Sequence, residues 1–248
     1  MNLDVAFAPH TLGPAEVAGR TVFVIDVLRA TTTICAALAH GARSVIPAAS
    51  GDEAARLAQS IGHDEVLLAG ERGCVRMPGF DLGNSPLEMT PAVVAGRVIV
   101  QSTTNGTGAL LAAQHARAVH VAAAVNLAMA AERGREALAE GGSVLLLCAG
   151  REGDFSLDDA YCAGRLIVDM LSDGPSGCEL GDAARASVAL VNAYGDAWLR
   201  VFGESAAGRM LVAHGFAADL EEAARTNAYP VLPSLNDRRL TAASLATA

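Results

Sequence analysis

The segment Asp26-Val27-Leu28-Arg29-Ala30-Thr31-Thr32-Thr33 follows the apolar run Val22 to Ile25 and gathers a carboxylate, a guanidinium and a hydroxyl-rich helix start. Free N–H groups at a helix start, with the Thr31 and Thr32 hydroxyls beside them, suit an anion. The same residues also read as a strand end followed by a helix cap, and the segment alone leaves both open. It is not the haloacid-dehalogenase phosphatase motif, because Leu28 stands where that motif needs a second Asp. A second group comprises Glu71-Arg72-Gly73 and the stretch from Pro78 to Glu88 with Asn84 and Ser85. A loop this long inside a compact domain is usually functional or disordered, and Asn84 and Ser85 also read as turn formers before Pro86 and Glu71-Arg72 as a solvated pair.

The third group, Ser102-Thr103-Thr104-Asn105-Gly106-Thr107-Gly108, joins hydroxyls and permissive glycines to a helix start, a cradle for phosphate or sulfonate. It has neither the P-loop Lys nor the dinucleotide G-x-G-x-x-G spacing. The fourth supplies Arg151 with the carboxylates Glu152, Asp154, Asp158 and Asp159. Hard oxygen donors without a neighbouring Cys or His pair point to Mg²⁺ rather than zinc. Asp158, and Asp154 with it, also reads as a solvated acidic helix start. The six histidines, His10, His40, His63, His115, His120 and His214, all lie outside these groups, and no H-E-x-x-H or Cys-x5-Arg exists.

Each group begins directly after a run that reads as a strand. Strands are expected at 3–7, 21–26, 44–48, 65–69, 97–101, 118–122 and 143–148, with helices at 32–40, 52–61, 107–115, 126–140, 157–172 and 182–226. This alternation is that of an α/β fold with a largely parallel or mixed sheet flanked by helices and a mainly helical C-terminal part. Ligands bind outside the carboxyl ends of such strands, so the four groups are expected to converge on one shared edge. The chain reads as one domain over 1–248, with a division into lobes 1–175 and 176–248 near Asp173-Gly174-Pro175-Ser176-Gly177 left open.

Composition narrows the partners. The 248 residues carry 18 Lys plus Arg against 27 Asp plus Glu, a net charge of −9 that opposes broad phosphate-backbone contact, so no nucleic acid is expected. The start Met1-Asn2-Leu3-Asp4 lacks signal-peptide character and no apolar run reaches membrane-spanning length, so a cytoplasmic protein is expected. Five cysteines with no C-x-x-C pair suit reduced thiols. Hydrophobic residues make up 52% and charged ones 18%, a thin charged coat for which a homodimer contact through the Ala-rich region after 182 is the expected reason.

Taken together, the motifs resemble the 2-phosphosulfolactate phosphatase family of the coenzyme M pathway. The resemblance rests on Val24 to Ile34, Glu71-Arg72-Gly73, Gly79 to Pro86, Thr103-Thr104-Asn105-Gly106-Thr107, and Cys148 to Arg151 through Asp159-Ala160, in the family's order over the first two thirds of the chain. It implies an Mg²⁺-dependent phosphatase that converts 2-phospho-3-sulfolactate, or a related 2-phospho-hydroxyacid, to the hydroxyacid and phosphate, on an α/β fold of its own. Asp26, Glu71 and Asp159 are then the candidates for holding Mg²⁺ or activating the nucleophile, with Glu152 as a further ligand. Arg29, Arg72 and Arg151 would meet phosphate, carboxylate and sulfonate, with Thr31, Thr32, Asn84, Thr103, Thr104, Asn105 and Gly106 completing the substrate contacts. At Asp158 the family pattern more often carries Glu, and the resemblance assigns Asp158 no role. Two alternatives remain: a binding protein that does not turn its anion over, and a phosphatase for a different small phospho-acid.

Overall fold

The computed structural model describes residues 1–62, 65–174 and 177–242. Its strands are β1 (Asn2–Ala6), β2 (Thr21–Ile25), β3 (Ser44–Pro47), β4 (Val66–Arg72), β5 (Val75–Arg76), β6 (Val98–Ser102), β7 (Ala118–Ala122), β8 (Ser143–Cys148), β9 (Glu179–Leu180), β10 (Pro233–Asn236) and β11 (Arg239–Ala242). The helices are α1 (Pro14–Val17), α2 (Ala30–Ala39), α3 (Gly51–Ile61), α4 (Pro91–Val94), α5 (Gly106–Ala112), α6 (Leu127–Ala139), α7 (Leu157–Ser172), α8 (Asp182–Tyr194), α9 (Trp198–Glu204), α10 (Ala206–Ala213) and α11 (Ala217–Ala223). No helix among the described residues is long and apolar enough to cross a membrane.

Strands covered on both faces read as continuous apolar runs, which is why Thr21–Ile25 and Val144 to Cys148 are buried throughout. One sheet results, in the order β5-β4-β6-β3-β11-β10-β7-β2-β8-β1-β9. It contains two parallel blocks, β4-β6-β3 and β7-β2-β8-β1. Between them lies the antiparallel hairpin β10-β11, registered to β7 through Ser234 and His120 and to β3 through Leu240 and Val45.

Both hairpin junctions are antiparallel, so the two blocks run in opposite senses. The expected single edge shared by all four strand ends is therefore not the observed arrangement. The ends meet because helices bridge the blocks: α2 packs on β3 and β7, and α5 packs on β2 and β3. The expected helix over 182–226 is four helices. Gly195 (φ 60°) and Gly215 (φ 85°) interrupt it, and Ser205 caps α10 by accepting from Gly208 N at 2.9 Å. Pro233 opens β10, in a part of the chain where no strand is expected. His63, Pro175 and Ser176 lie outside the described residues.

Candidate active site

Asp26 stands one residue past β2. Its backbone N–H donates to Thr31 Oγ1 at 3.2 Å and its Oδ1 accepts from Ala30 N at 3.2 Å, so the turn into α2 fixes the carboxylate. Thr32 Oγ1 donates to Val27 O at 2.8 Å. Thr31 and Thr32 are fully buried and build this turn, outside the cavity wall. Asp26 Oδ2 accepts no hydrogen bond among the described residues, and the backbone of α5 closes on it. A Cβ at Gly106 would sit 2.7 Å from that oxygen and 2.6 Å from Ala30 Cβ. Gly106→Ala must therefore displace Asp26 or α5, and kcat should fall about tenfold or more, since small misplacements of a reacting group are expensive. An unchanged kcat in the folded variant would show that the position of Asp26 is not critical.

Asp159, in the first turn of α7, ties two loops together. Its Oδ1 accepts from Val27 N at 2.9 Å and its Oδ2 from Gly150 N at 3.1 Å. Gly150 has φ 65°, and a Cβ there would lie 2.3 Å from Asp154 O, so only glycine lets the backbone approach this closely. Asp158 is the residue that sequence reasoning passed over. Far from being a solvated helix start, it is 2% exposed, hydrogen-bonded to Ser156 Oγ and facing the same cavity as Asp26 and Asp159.

The carboxyls of all three are pushed up. Burial is the leading cause each time; for Asp26, which rises to about 7, repulsion from Asp158 and Glu71 adds to it against the Ala30 hydrogen bond and Arg29. Asp159 rises well above the carboxylate range, with Asp158 and Asp26 reinforcing burial, and Asp158 rises through burial against its Ser156 bond.

Glu71, at the end of β4, is a staple. Its Oε2 accepts from Cys74 N at 2.9 Å, and its Oε1 accepts from Thr104 N at 2.8 Å and Thr104 Oγ1 at 2.9 Å. It thereby joins the loops after β4 and β6. Asn84 is also fixed, its Oδ1 accepting from Gln101 Nε2 at 3.0 Å and its carbonyl from Thr33 Oγ1 at 2.9 Å. Thr103 is spent on the start of α5, accepting from Thr107 N at 3.2 Å.

The three arginines separate sharply. Arg29 is buried and its Nη1 donates to Asp219 Oδ2 at 2.6 Å. Arg72 lies outside the cavity wall, donating to Glu71 O at 2.7 Å and Ser102 Oγ at 3.0 Å. Arg151 lines the cavity with a buried Nε that has no hydrogen-bond partner. Its Nη2 lies 3.5 Å from the exposed Glu152 carboxylate and 3.7 Å from Met210 Sδ.

One cavity of about 170 Å³ thus brings together Asp26, Arg29, Glu71, Asn84, Thr104, Asn105, Arg151, Glu152 and Asp159 from the expected set. Asp158 and, from α10, Ala207, Met210 and Leu211 also line it. No histidine among the described residues lines it. Cys148 and Cys162 are buried with thiols pushed well up by burial, which fits packing residues.

The donor set suits a hard divalent cation. Three buried carboxylates repel one another, and the buried cation beside them, Arg29, is matched by Asp219. Among the described residues no three His, Cys, Asp or Glu side chains form a ready-made metal cage. Mg²⁺ seldom uses such a cage; it is held by one or two carboxylates, water and substrate phosphate.

Comparison with known proteins gives the family. The chain is 42% identical over 236 residues to a probable 2-phosphosulfolactate phosphatase of Thermus thermophilus, covering 94% of each chain. It is 41% identical over 219 residues to one of Symbiobacterium thermophilum, covering 88% of this chain and 92% of that protein. It is 39% identical over 236 residues to one of Deinococcus radiodurans, covering 95% and 93%. The profile of the 2-phosphosulpholactate phosphatase family matches residues 7–238, a span that takes in all four motif groups and the helical segment closing the cavity, and the chain belongs to that family of phosphoric monoester hydrolases.

Proposed function

We propose that the protein hydrolyses a small 2-phospho-hydroxyacid, with 2-phospho-3-sulfolactate as the leading substrate, in the presence of Mg²⁺. The observation that carries this reading is the burial of Asp26, Asp158 and Asp159 against one cavity that Arg151 also lines. Asp26 and Asp159 would hold Mg²⁺, which supplies charge neutralisation on the nonbridging phosphate oxygens. Arg151 binds an anionic group of the ligand through its fork. Asp159 and Glu71 keep the loops that carry Asp26, Gly150 and Thr104 in register, and Asn105 orients the bound acid from the α5 side. A pure binding protein has little use for three buried carboxylates beside an anion, which favours turnover.

The test is phosphate release across a panel of 2-phospho-acids and a phosphomonoester lacking a second acid, p-nitrophenyl phosphate. Arg151→Lys is expected to lower kcat/KM for the 2-phospho-acid about tenfold or more relative to p-nitrophenyl phosphate, the scale of a charged hydrogen bond. Equal losses on both would confine Arg151 to phosphate or folding. No turnover of any phosphomonoester would defeat the proposal. Leu199 in α9 and Val212 in α10 are about half exposed, which suits a homodimer through this region, and light scattering should return the dimer mass at micromolar concentration.

A further inference from the structure

Asp219 lies 190 residues from Arg29 in sequence, yet the two form an ion pair in which both side chains are 2% exposed. Asp219 Oδ2 accepts from Arg29 Nη1 and its Oδ1 accepts from Ser85 Oγ, each at 2.6 Å. Arg29 Nη2 donates to Cys74 O at 3.3 Å, and its guanidinium carbon lies 4.4 Å above the centre of the Phe216 ring. The fork is therefore held on three sides at the cavity wall, by the loop after β4 and by the segment that enters α11. Arg151 offers the contrast: its guanidinium is part-exposed, its Nε is unpaired, and its carboxylate neighbour is solvated.

We propose that Asp219 is a positioning residue that fixes Arg29 and cancels its charge, leaving Arg151 as the side-chain cation that draws the substrate's anion. This rests on the phosphatase reading above. Arg29 then contributes shape to the wall, its Nη1 and Nη2 donating to Asp219 and Cys74 O, and the balance of charge in the cavity is set from α11, outside the loops that carry the carboxylates. A low-dielectric wall makes this balance matter, because charges there are screened far less than at the surface. It also limits how tightly the product phosphate is held, so that it can leave.

The experiment is calorimetric titration of inorganic phosphate into the full-length protein at fixed Mg²⁺, with melting temperature and circular dichroism as folding controls. Asp219→Asn keeps a hydrogen-bonding group of the same shape and removes the negative charge. It is expected to tighten phosphate at least about fivefold. The double variant Arg29→Gln/Asp219→Asn removes the pair together and is expected to bind phosphate within about twofold of wild type, which a merely structural pair would not predict for the single variant. Unchanged or weaker binding by folded Asp219→Asn would overturn the proposal. Should that variant fail to fold, a loss of tenfold or more in the double variant would overturn it, because Arg29 would then be a direct anion ligand. Wild-type protein that binds no phosphate would defeat the phosphatase reading itself, and this inference with it. Wild-type binding with no change in Asp219→Asn defeats this inference alone.

Discussion

Asp26→Asn should lower kcat by at least about a hundredfold and, in metal-free protein above pH 7, raise the melting temperature. The first effect is the scale of losing one preorganised electrostatic group. The second follows from the carboxyl being pushed from 3.8 to about 7 by burial and by its acidic neighbours. A carboxyl raised in the folded state costs nothing below its unfolded pKa. Its cost grows as pH climbs from about 4 and is complete above about 7. At roughly 1.4 kcal/mol per pKa unit the full cost is on the order of 4 kcal/mol, which corresponds to several degrees in a chain of this length. Melting at pH 8 and pH 5 in EDTA checks it: the gain from Asn should be larger at pH 8. A variant less stable than wild type at pH 8 would show that Asp26 is ionised at little cost. A near-normal kcat would remove it from the chemistry.

Chelation should abolish phosphate release, and Mg²⁺ should restore it. The dependence on Mg²⁺ should itself vary with pH. Three neighbouring carboxyls with raised pKa hold protons near neutrality, and a cation must compete with them. The Mg²⁺ concentration for half-maximal activity should therefore fall at least about fivefold between pH 6 and pH 8, with proton release seen calorimetrically on binding. Full activity after exhaustive chelation would exclude the metal. A half-saturation that does not move with pH would place the cation away from Asp26, Asp158 and Asp159.

The parallel strands were legible because strands covered on both faces, such as Val22 to Ile25 and Val144 to Cys148, admit little but apolar residues. The hairpin β10-β11 was not. Pro233-Ser234-Leu235-Asn236 and Arg239-Leu240-Thr241-Ala242 contain one β-branched residue between them, and the strands on either side of the hairpin, β7 and β3, lie more than a hundred residues away. That hairpin reverses one block of the sheet against the other, so the route by which the motifs converge was invisible even though their convergence was not. The breaks in the 182–226 helix did have a signal, in Gly195 and Gly215.

Among site residues, Asp26, Arg151 and Asp159 stood out because each follows an apolar strand in a polar cluster. Asp158 was hidden by its likeness to an ordinary acidic helix start; only the packing of α7 shows it buried. Asp219 sits in Asp219-Leu220-Glu221-Glu222, which reads as a solvated helix face, and nothing local betrays a partner as distant as Arg29. Thr31, Thr32 and Thr103 are the reverse case. Their hydroxyls look like anion ligands in sequence but are buried outside the cavity wall, Thr31 and Thr103 accepting from Asp26 N and Thr107 N and Thr32 donating to Val27 O.

The most direct test is a crystal structure of the protein grown with Mg²⁺ and 3-sulfolactate. Density for an octahedral ion on Asp26 or Asp159 is expected, with the carboxylate or sulfonate of the acid against Arg151 inside the cavity between α10 and the loops after β2, β4, β6 and β8. An ion on other residues, or an acid seated outside this cavity, would contradict the assignment of the active site.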